Sequence, residues 1–449
     1  MHLRALIFLL AGAAFLAACS SNGGPYTPSS AALSGAGRSS SLHRSEASGY
    51  ATLYSFRSGS DGAGPLGDVV AMNGALFGTT QYGGGACADY LGGCGTVFEL
   101  RSASEESVVY AFHGQTNGDG ALPLAGLVRF DGALYGTTSA GGRPSQSGCD
   151  CGTVFRVQPG GSEEVIHSFS SGTGDGMIPA APLIEASGKL YGTTVLGGTG
   201  SSATGSVFEV NASGRERVIY SFLGGANESK SIDGGYPDAG LTKVSGTVYG
   251  TTSAGGGTGC ILGFDQNGCG TIFALAPTHA ESQLYRFRGK GETGGKRGAY
   301  PQSTLIFLDG KLYGTTSGGG VRGSICNGTG CGTIFSIDPS GGGYRILHKF
   351  SGGADGSNPF AGLIEVNGTL YGTTTTGGDH NDGTIFSIGS SGRRYEVLHS
   401  FQGHAAGDGS TPESALVQVN GVLYGTTSMG GTSGNCSTNG CGTVFKINP

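Results

Sequence analysis

Short apolar runs alternate along this chain with clusters of Gly, Ser, Asn and Asp. The run between residues 124 and 169 shows the unit. LAGLVRF at 124–130 reads as a first strand, closed by the pair Asp131-Gly132. ALYGTT at 133–138 reads as a second strand and leads into a long Gly-rich loop. GTVFRV at 152–157 is a third strand, the turn QPGGS follows, and EEVIHSF at 163–169 is a fourth. Runs this short, rich in β-branched and aromatic residues and bounded by turn formers, predict strands.

The unit recurs. The motif [LV]-[YF]-G-T-T places its aromatic at Phe77, Tyr135, Tyr191, Tyr249, Tyr313, Tyr371 and Tyr424, at intervals of 58, 56, 58, 64, 58 and 53 residues. Each copy is preceded by an x-Gly pair, from Asn73-Gly74 to Asn420-Gly421. Such pairs favour the type I′ turn of a two-residue hairpin, which needs positive φ at both positions. Seven units of four antiparallel strands predict an all-β, seven-bladed β-propeller. The phase of the repeat predicts how it closes. The first unit-like segment, ATLYSF at 51–56, is of the fourth type, and the chain ends on a third-type strand, GTVFKI at 442–447. The N-terminal strand therefore joins the three C-terminal strands as a clasp and leaves no open sheet edge.

Composition agrees with a turn-dense β protein. Gly makes up 92 of 449 residues, Pro only 15, and charged residues 12%. Net charge is −6 and no Lys/Arg-rich run occurs, which argues against a nucleic-acid partner. The N-terminus carries Arg4 and an apolar run from Ala5 to Ala18, too short to span a membrane. Residues 1–18 are expected to be a removed signal peptide, and 19–50, rich in Ser, Gly and Ala, a flexible tether to a propeller at 51–449. Leu16-Ala17-Ala18-Cys19 resembles the bacterial lipobox, which implies a lipidated Cys19. Ser20 rather than Asp follows it, which favours an outer-membrane or cell-surface anchor.

The seven [LV]-[YF]-G-T-T runs and the following G-[TS]-[VI]-F runs, spread from Gly95 to Gly442, resemble the GloVer tandem repeat of bacterial extracellular proteins. The resemblance covers nearly all of 51–449. It implies an exported, surface-tethered propeller and no particular activity.

Ten cysteines remain after Cys19. They fall in pairs within second-to-third-strand loops: Cys87/Cys94, Cys149/Cys151, Cys260/Cys269, Cys326/Cys331 and Cys436/Cys441. Two units lack both members. Presence of both or neither predicts a disulfide inside each loop, formed in an oxidising compartment. The spacings are irregular and no His cluster accompanies them, which argues against zinc.

Strand alternation puts the short turns on one face and the long, variable loops on the other. Ligand sites favour loops held on a rigid scaffold, so the long-loop face and its central mouth are where binding is expected. The inter-blade loops carry D-G-x-x-P, with Asp61, Asp119, Asp175, Asp233, Asp355 and Asp408. These carboxylates are expected either to brace their own turns or to ring the mouth as a cation-attracting rim, with a Ca²⁺ site as the one cofactor considered. One loop departs from the motif and carries Arg288, Lys290, Lys296 and Arg297. It lies among the long loops 223–236, 253–269 and 317–331, which are expected to crowd one sector and favour an anionic partner. His167, His348 and His399 occupy equivalent fourth-strand positions and read as packing residues. No G-x-S-x-G, H-E-x-x-H or P-loop is present, there is no Trp, and no catalytic residue or metal ligand is assigned. The expected function is a monomeric, non-enzymatic binding module for an envelope protein, glycan or small ligand. The alternatives are a polysaccharide hydrolase or lyase with carboxylates at the mouth, and a purely structural envelope component.

Overall fold

The computed structural model describes residues 49–449, apart from 104, 144–148, 172–173, 200–203, 225–232, 258–259, 263–265, 289–295, 322–325, 327–328, 433–435 and 437–438. Seven four-stranded antiparallel sheets form the seven blades. In six of them the strands lie side by side in chain order, and first strands of neighbouring blades touch, so first strands ring the axis and fourth strands form the rim. The last blade is the predicted clasp. Ala51–Ser55 pairs with Thr443–Ile447, which pairs with Val422–Thr427 and then Val417–Val419. The x-Gly hairpins have positive φ at both positions, for example 48° at Asp131 and 75° at Gly132.

First strands are shorter than the sequence pattern suggests: Val128–Phe130 where 124–130 is predicted. Upstream of Val128 the chain leaves its own sheet, and the Ala125 carbonyl accepts a hydrogen bond from Thr79 Oγ1 of the preceding blade at 2.8 Å. This bond recurs around the ring. The first Thr of each G-T-T donates to a carbonyl of the next blade, down to Thr426 Oγ1 on Gly67 O at 3.1 Å across the closure. The second Thr stays within its blade and bonds the hydroxyl that opens the third strand, as Thr80 does with Thr96 at 2.7 Å.

The Gly of G-T-T has a different reason from the close blade approach it suggests in the sequence. Gly136 pairs directly with Phe155 on the third strand of its own blade, and a Cβ there would lie 2.6 Å from the Phe155 ring. The missing side chain lets the ring lie across the strand and reach the preceding blade, where it meets Phe112 edge-on at 5.0 Å. Equivalent pairs, Phe56/Phe98 through Phe401/Phe445, fill all seven seams. Each contributes about 0.5–1.5 kcal/mol beyond burial. The core is therefore a set of inter-blade layers: Tyr135, Val154 and Phe169 of one blade pack with Leu183, Leu190 and Phe208 of the next.

Candidate functional site: the long-loop face

The five predicted cysteine pairs are all joined, with Cα atoms 5.0–5.6 Å apart. Each staples a second-to-third-strand loop. The second member of each pair, Cys94, Cys151, Cys269, Cys331 and Cys441, is buried in the core and offers nothing to a ligand on the loop face. The reason is its place in the chain, two residues before a third strand. There the backbone is already locked into the seam. The carbonyls of Cys94, Cys151, Cys269, Cys331 and Cys441 each accept a hydrogen bond from the next blade, from Leu122 N, Ile178 N, Tyr300 N, Asn358 N and Gly64 N, at 2.8–2.9 Å. Cys149, Cys260 and Cys326 are buried as well, and only Cys87 and Cys436 are partly exposed. The disulfides therefore tie each loop down to the core.

Cys19, the signal and nearly all of the tether lie outside the described residues. The tether's last residue, Tyr50, belongs to the ring: its ring stacks on His399 at 3.6 Å and its hydroxyl donates to Asp408 Oδ1 at 2.5 Å.

The six D-G-x-x-P carboxylates do not meet at the mouth. Each sits at the outer end of a seam, beside the fourth strand it follows. Asp119 accepts from Tyr110 OH at 2.9 Å, His113 N at 2.8 Å and Gly120 N at 2.6 Å. Asp61, Asp175, Asp233, Asp355 and Asp408 likewise each accept from the Tyr or His of their own fourth strand and from a backbone N–H of the turn. The reason is local: three residues after that aromatic, the chain must turn inward, and the carboxylate satisfies the N–H groups the turn exposes.

A third seam partner comes from the next blade, and the sequence reading missed it. Four residues before each fourth-strand Tyr or His stands a Glu or a Tyr: Tyr50, Glu106, Glu163, Glu216, Glu281, Tyr344 and Tyr395. This constant [EY]-x3-[YH]-x-F spacing was the available signal. The Tyr members stack on the preceding blade's aromatic, as Tyr395 does on His348 at 3.8 Å. The Glu members face a carboxylate. Burial, then the nearby Asp119, pushes Glu163 up to about 8, and burial, then Asp61, pushes Glu106 up to about 7.

The basic departure occupies one such seam. Arg288, Lys296 and Arg297 are exposed, while Lys290 lies outside the described residues. The Arg297 guanidinium sits 5.5 Å from the centre of the Tyr344 ring, which stacks on Tyr285 at 3.9 Å. The four long loops are tied in series. Gly235 bridges to Ala254, Tyr300 N donates to Cys269 O at 2.8 Å, and Ala299 bridges to Gly318. The predicted crowding is thus a hydrogen-bonded sector, and it carries Leu223, 55% exposed, and Val321, 37% exposed. A further disulfide-stapled loop of this face presents the fully exposed Leu91.

The mouth itself holds three carboxyls that sequence reasoning passed over. Three residues after each inter-blade Pro or its equivalent, the chains come closest around the axis: a Cβ on Gly240 would meet both Thr304 and Pro182. Asp68 stands in this ring and accepts from Ala415 N at 2.6 Å. One step toward the loops stand Asp238, accepting from Gln302 Nε2 at 3.0 Å, and Glu413. Burial raises Asp68 and Asp238 to about 6 and Glu413 to about 7. No neighbouring charge contributes to any of the three shifts. Burial is the largest cause of all three shifts.

Two hollows lie away from the mouth. One, about 310 Å³, is lined by Lys189, Glu209, Arg215 and Arg217, with Lys189 and Arg217 both paired to Glu209. The other, about 380 Å³, is lined by Arg143 and the segment from Val165 to Ser170.

Among solved structures, the chain is similar to an oligogalacturonate lyase in complex with manganese, at 10% identity and a TM-score of 0.48, covering 84% of this chain and 86% of that one. It is also similar to the computationally designed Ika8 protein, at 13% identity and a TM-score of 0.45, covering 88% of this chain and 99% of that one. At these values neither carries an argument about activity. No curated protein matches the chain. The Gloeobacter/Verrucomicrobia repeat matches residues 26–264 and 262–445. That span takes in every [LV]-[YF]-G-T-T copy and the blades built on them, and the chain belongs to the Gloeobacter/Verrucomicrobia repeat family.

Proposed function

We propose that this protein is an exported, lipid-anchored propeller that binds a partner through the loop sector spanning residues 223–331, without catalysing a reaction. One observation carries the reading: in that sector exposed apolar side chains, Leu223 and Val321, stand on hydrogen-bonded loops that also carry exposed Arg288, Lys296 and Arg297. Arginine is enriched in binding hot spots, and exposed apolar side chains beside it supply area that a partner can bury. The partner this fits is anionic and offers an apolar element. Five formed disulfides accord with an oxidising compartment, and the lipobox-like Leu16–Cys19 supports an anchor in the cell envelope.

Pull-downs from envelope fractions and glycan panels test the reading, comparing wild type with Lys296→Ala/Arg297→Ala and with Leu223→Ser/Val321→Ser. Both variants should lose the captured species, the first more steeply as salt is lowered. Capture unchanged in both removes the sector. Labelled-lipid incorporation that is lost in Cys19→Ala tests the anchor, and no incorporation in wild type contradicts it.

A further inference from the structure

One seam differs from the other six in a way that packing does not explain. His167 lies on the fourth strand Glu163–Ser168, Asp175 opens the inter-blade segment Asp175–Met177, and Glu216 opens the fourth strand of the next blade, Glu216–Ser221. Where His167 stands, the three other seams with a Glu have Tyr54, Tyr110 and Tyr220. Where Glu216 stands, the two other seams with a His have Tyr395 and Tyr50, each stacked flat on the imidazole. Only here, among the described residues, do His, Asp and Glu meet, and one ligand atom from each lies within 4.8 Å of the others.

We propose that His167, Asp175 and Glu216 bind one divalent transition-metal ion, of the zinc or manganese class, at the outer edge of this seam. The proposal is independent of the partner-binding sector.

Four features of the geometry argue for it. First, one pair of donors stands at a coordination spacing, with the Glu216 carboxylate within 4.8 Å of both. His167 Nε2 and Asp175 Oδ1 are 3.4 Å apart. Two ligands of a tetrahedral ion with bonds of about 2.0–2.1 Å stand roughly 3.3–3.4 Å apart. In the metal-free protein this contact is a long hydrogen bond, and its length also matches an edge of a coordination sphere. Second, Glu216 Oε1 is shut off from solvent and has no hydrogen-bond partner, as in the Glu106, Glu163 and Glu281 seams, but only here, among the described residues, does a His stand beside it with the Asp. A buried carboxylate oxygen without a partner costs free energy, and a cation removes that cost. Third, the ligands are held. Asp175 is fixed by Ser170 N at 2.9 Å, Ser170 Oγ at 3.0 Å and Gly176 N at 2.8 Å, and His167 meets the edge of Phe169 at 4.8 Å. Outer contacts of this kind orient ligands and tighten metal sites. Fourth, the hollow of about 380 Å³ reaches His167, Ser168 and Ser170, which leaves room for entry and for a water in a remaining position.

The chemistry of the donors selects the ion. Two carboxylates and a neutral imidazole balance a charge of +2. Imidazole suits Zn²⁺ and the neighbouring transition metals, carboxylate suits Mn²⁺, and an all-oxygen set is what Ca²⁺ prefers. The site joins two blades, so a bound ion would clamp the seam between the blade ending at Ser168 and the one ending at Ser221.

The test uses the untagged full-length protein, stripped with EDTA and titrated with Zn²⁺ and with Mn²⁺ by calorimetry, with metal content read by mass spectrometry. Wild type should bind one equivalent of at least one ion and unfold at a higher temperature when loaded. His167→Tyr and Glu216→Tyr install residues that equivalent seams already carry, so both should fold. Each should lose that equivalent, or bind it at least tenfold more weakly, and lose the thermal shift. His399→Tyr, made in another seam, should bind as wild type does. The proposal is overturned if wild type binds neither ion, or if His167→Tyr and Glu216→Tyr bind with wild-type stoichiometry and affinity.

Discussion

Replacing Glu163 with Gln should make the protein more stable at pH 9 and leave it nearly unchanged at pH 5. Glu163 reaches across a seam toward Asp119 and Tyr110, and burial followed by the Asp119 charge holds its carboxyl at about 8, against an ordinary 4.5. The folded protein therefore binds this proton more tightly than the unfolded chain does. Stability from this group is fully present below about pH 4.5 and is lost as pH rises toward 8, because the unfolded chain ionises first. Each tenfold difference in proton affinity is worth about 1.4 kcal/mol, so a fully sheltered carboxyl would cost about 5 kcal/mol above pH 8. Glu163 is only half-buried, and screening by water brings the expected loss to about 1–2 kcal/mol. Gln keeps the shape and cannot ionise. Chemical unfolding of wild type and Glu163→Gln at half-unit steps from pH 5 to pH 9 measures the difference. The curves should separate progressively from about pH 4.5 to pH 8, with the variant more stable by about 1–2 kcal/mol at the alkaline end. Parallel curves across the whole range refute the seam electrostatics described here.

Three further outcomes follow from the ring. Gly136→Ala should cost about 1–3 kcal/mol in equilibrium unfolding, because the new methyl meets Phe155 at 2.6 Å and Leu127 at 2.8 Å with no free space to relax into. Tyr50→Phe should cost about 1.5–3 kcal/mol at neutral pH by removing the hydrogen bond to Asp408. Hydrogen bonding to His399 and Tyr50 holds Asp408 below its usual range, so the difference should shrink as the pH falls through that lowered value. Cys260→Ser/Cys269→Ser should lower global stability by only about 0–2 kcal/mol through loss of the cross-link, since the closed loop is short. It should nonetheless speed proteolysis within 253–269, as timed peptide mapping would show.

The architecture was legible because it is written seven times. The x-Gly turns fix the hairpins, the strand phase fixes the clasp, and paired cysteines in some loops but not others fix the staples. What the repeats do to one another was harder to read. Asp119 and Glu163 are 44 residues apart and meet only because the outer strands of adjacent blades overlap, which no single unit reveals. Burial of Cys94, Cys151, Cys331 and Cys441 was hidden for the same reason, since the next blade is what covers them. Of the two readings of the six Asp residues, the contacts match the brace of their own turns. Their place is set by the fourth strand before them, not by the axis ahead of them. Glu413 and Asp238 were missed because the position after the inter-blade Pro varies freely, with Leu124 and Phe360 as other occupants. The loop sector was legible by length and charge, and the structure added the hydrogen bonds that join its four loops and the two apolar side chains it exposes.

The central functional claim is that the repeated parts are scaffold and that binding resides where the copies differ. Site-specific photo-crosslinking in the intact envelope measures this directly. A photoreactive residue would be placed in turn at Leu223, Lys296 and Val321, and at the hairpin positions Asp131 and Asn367 on the opposite face. A single species crosslinked from the three sector positions and from neither hairpin is the predicted result. Crosslinks equally frequent from Asp131 and Asn367, or confined to them, would contradict it.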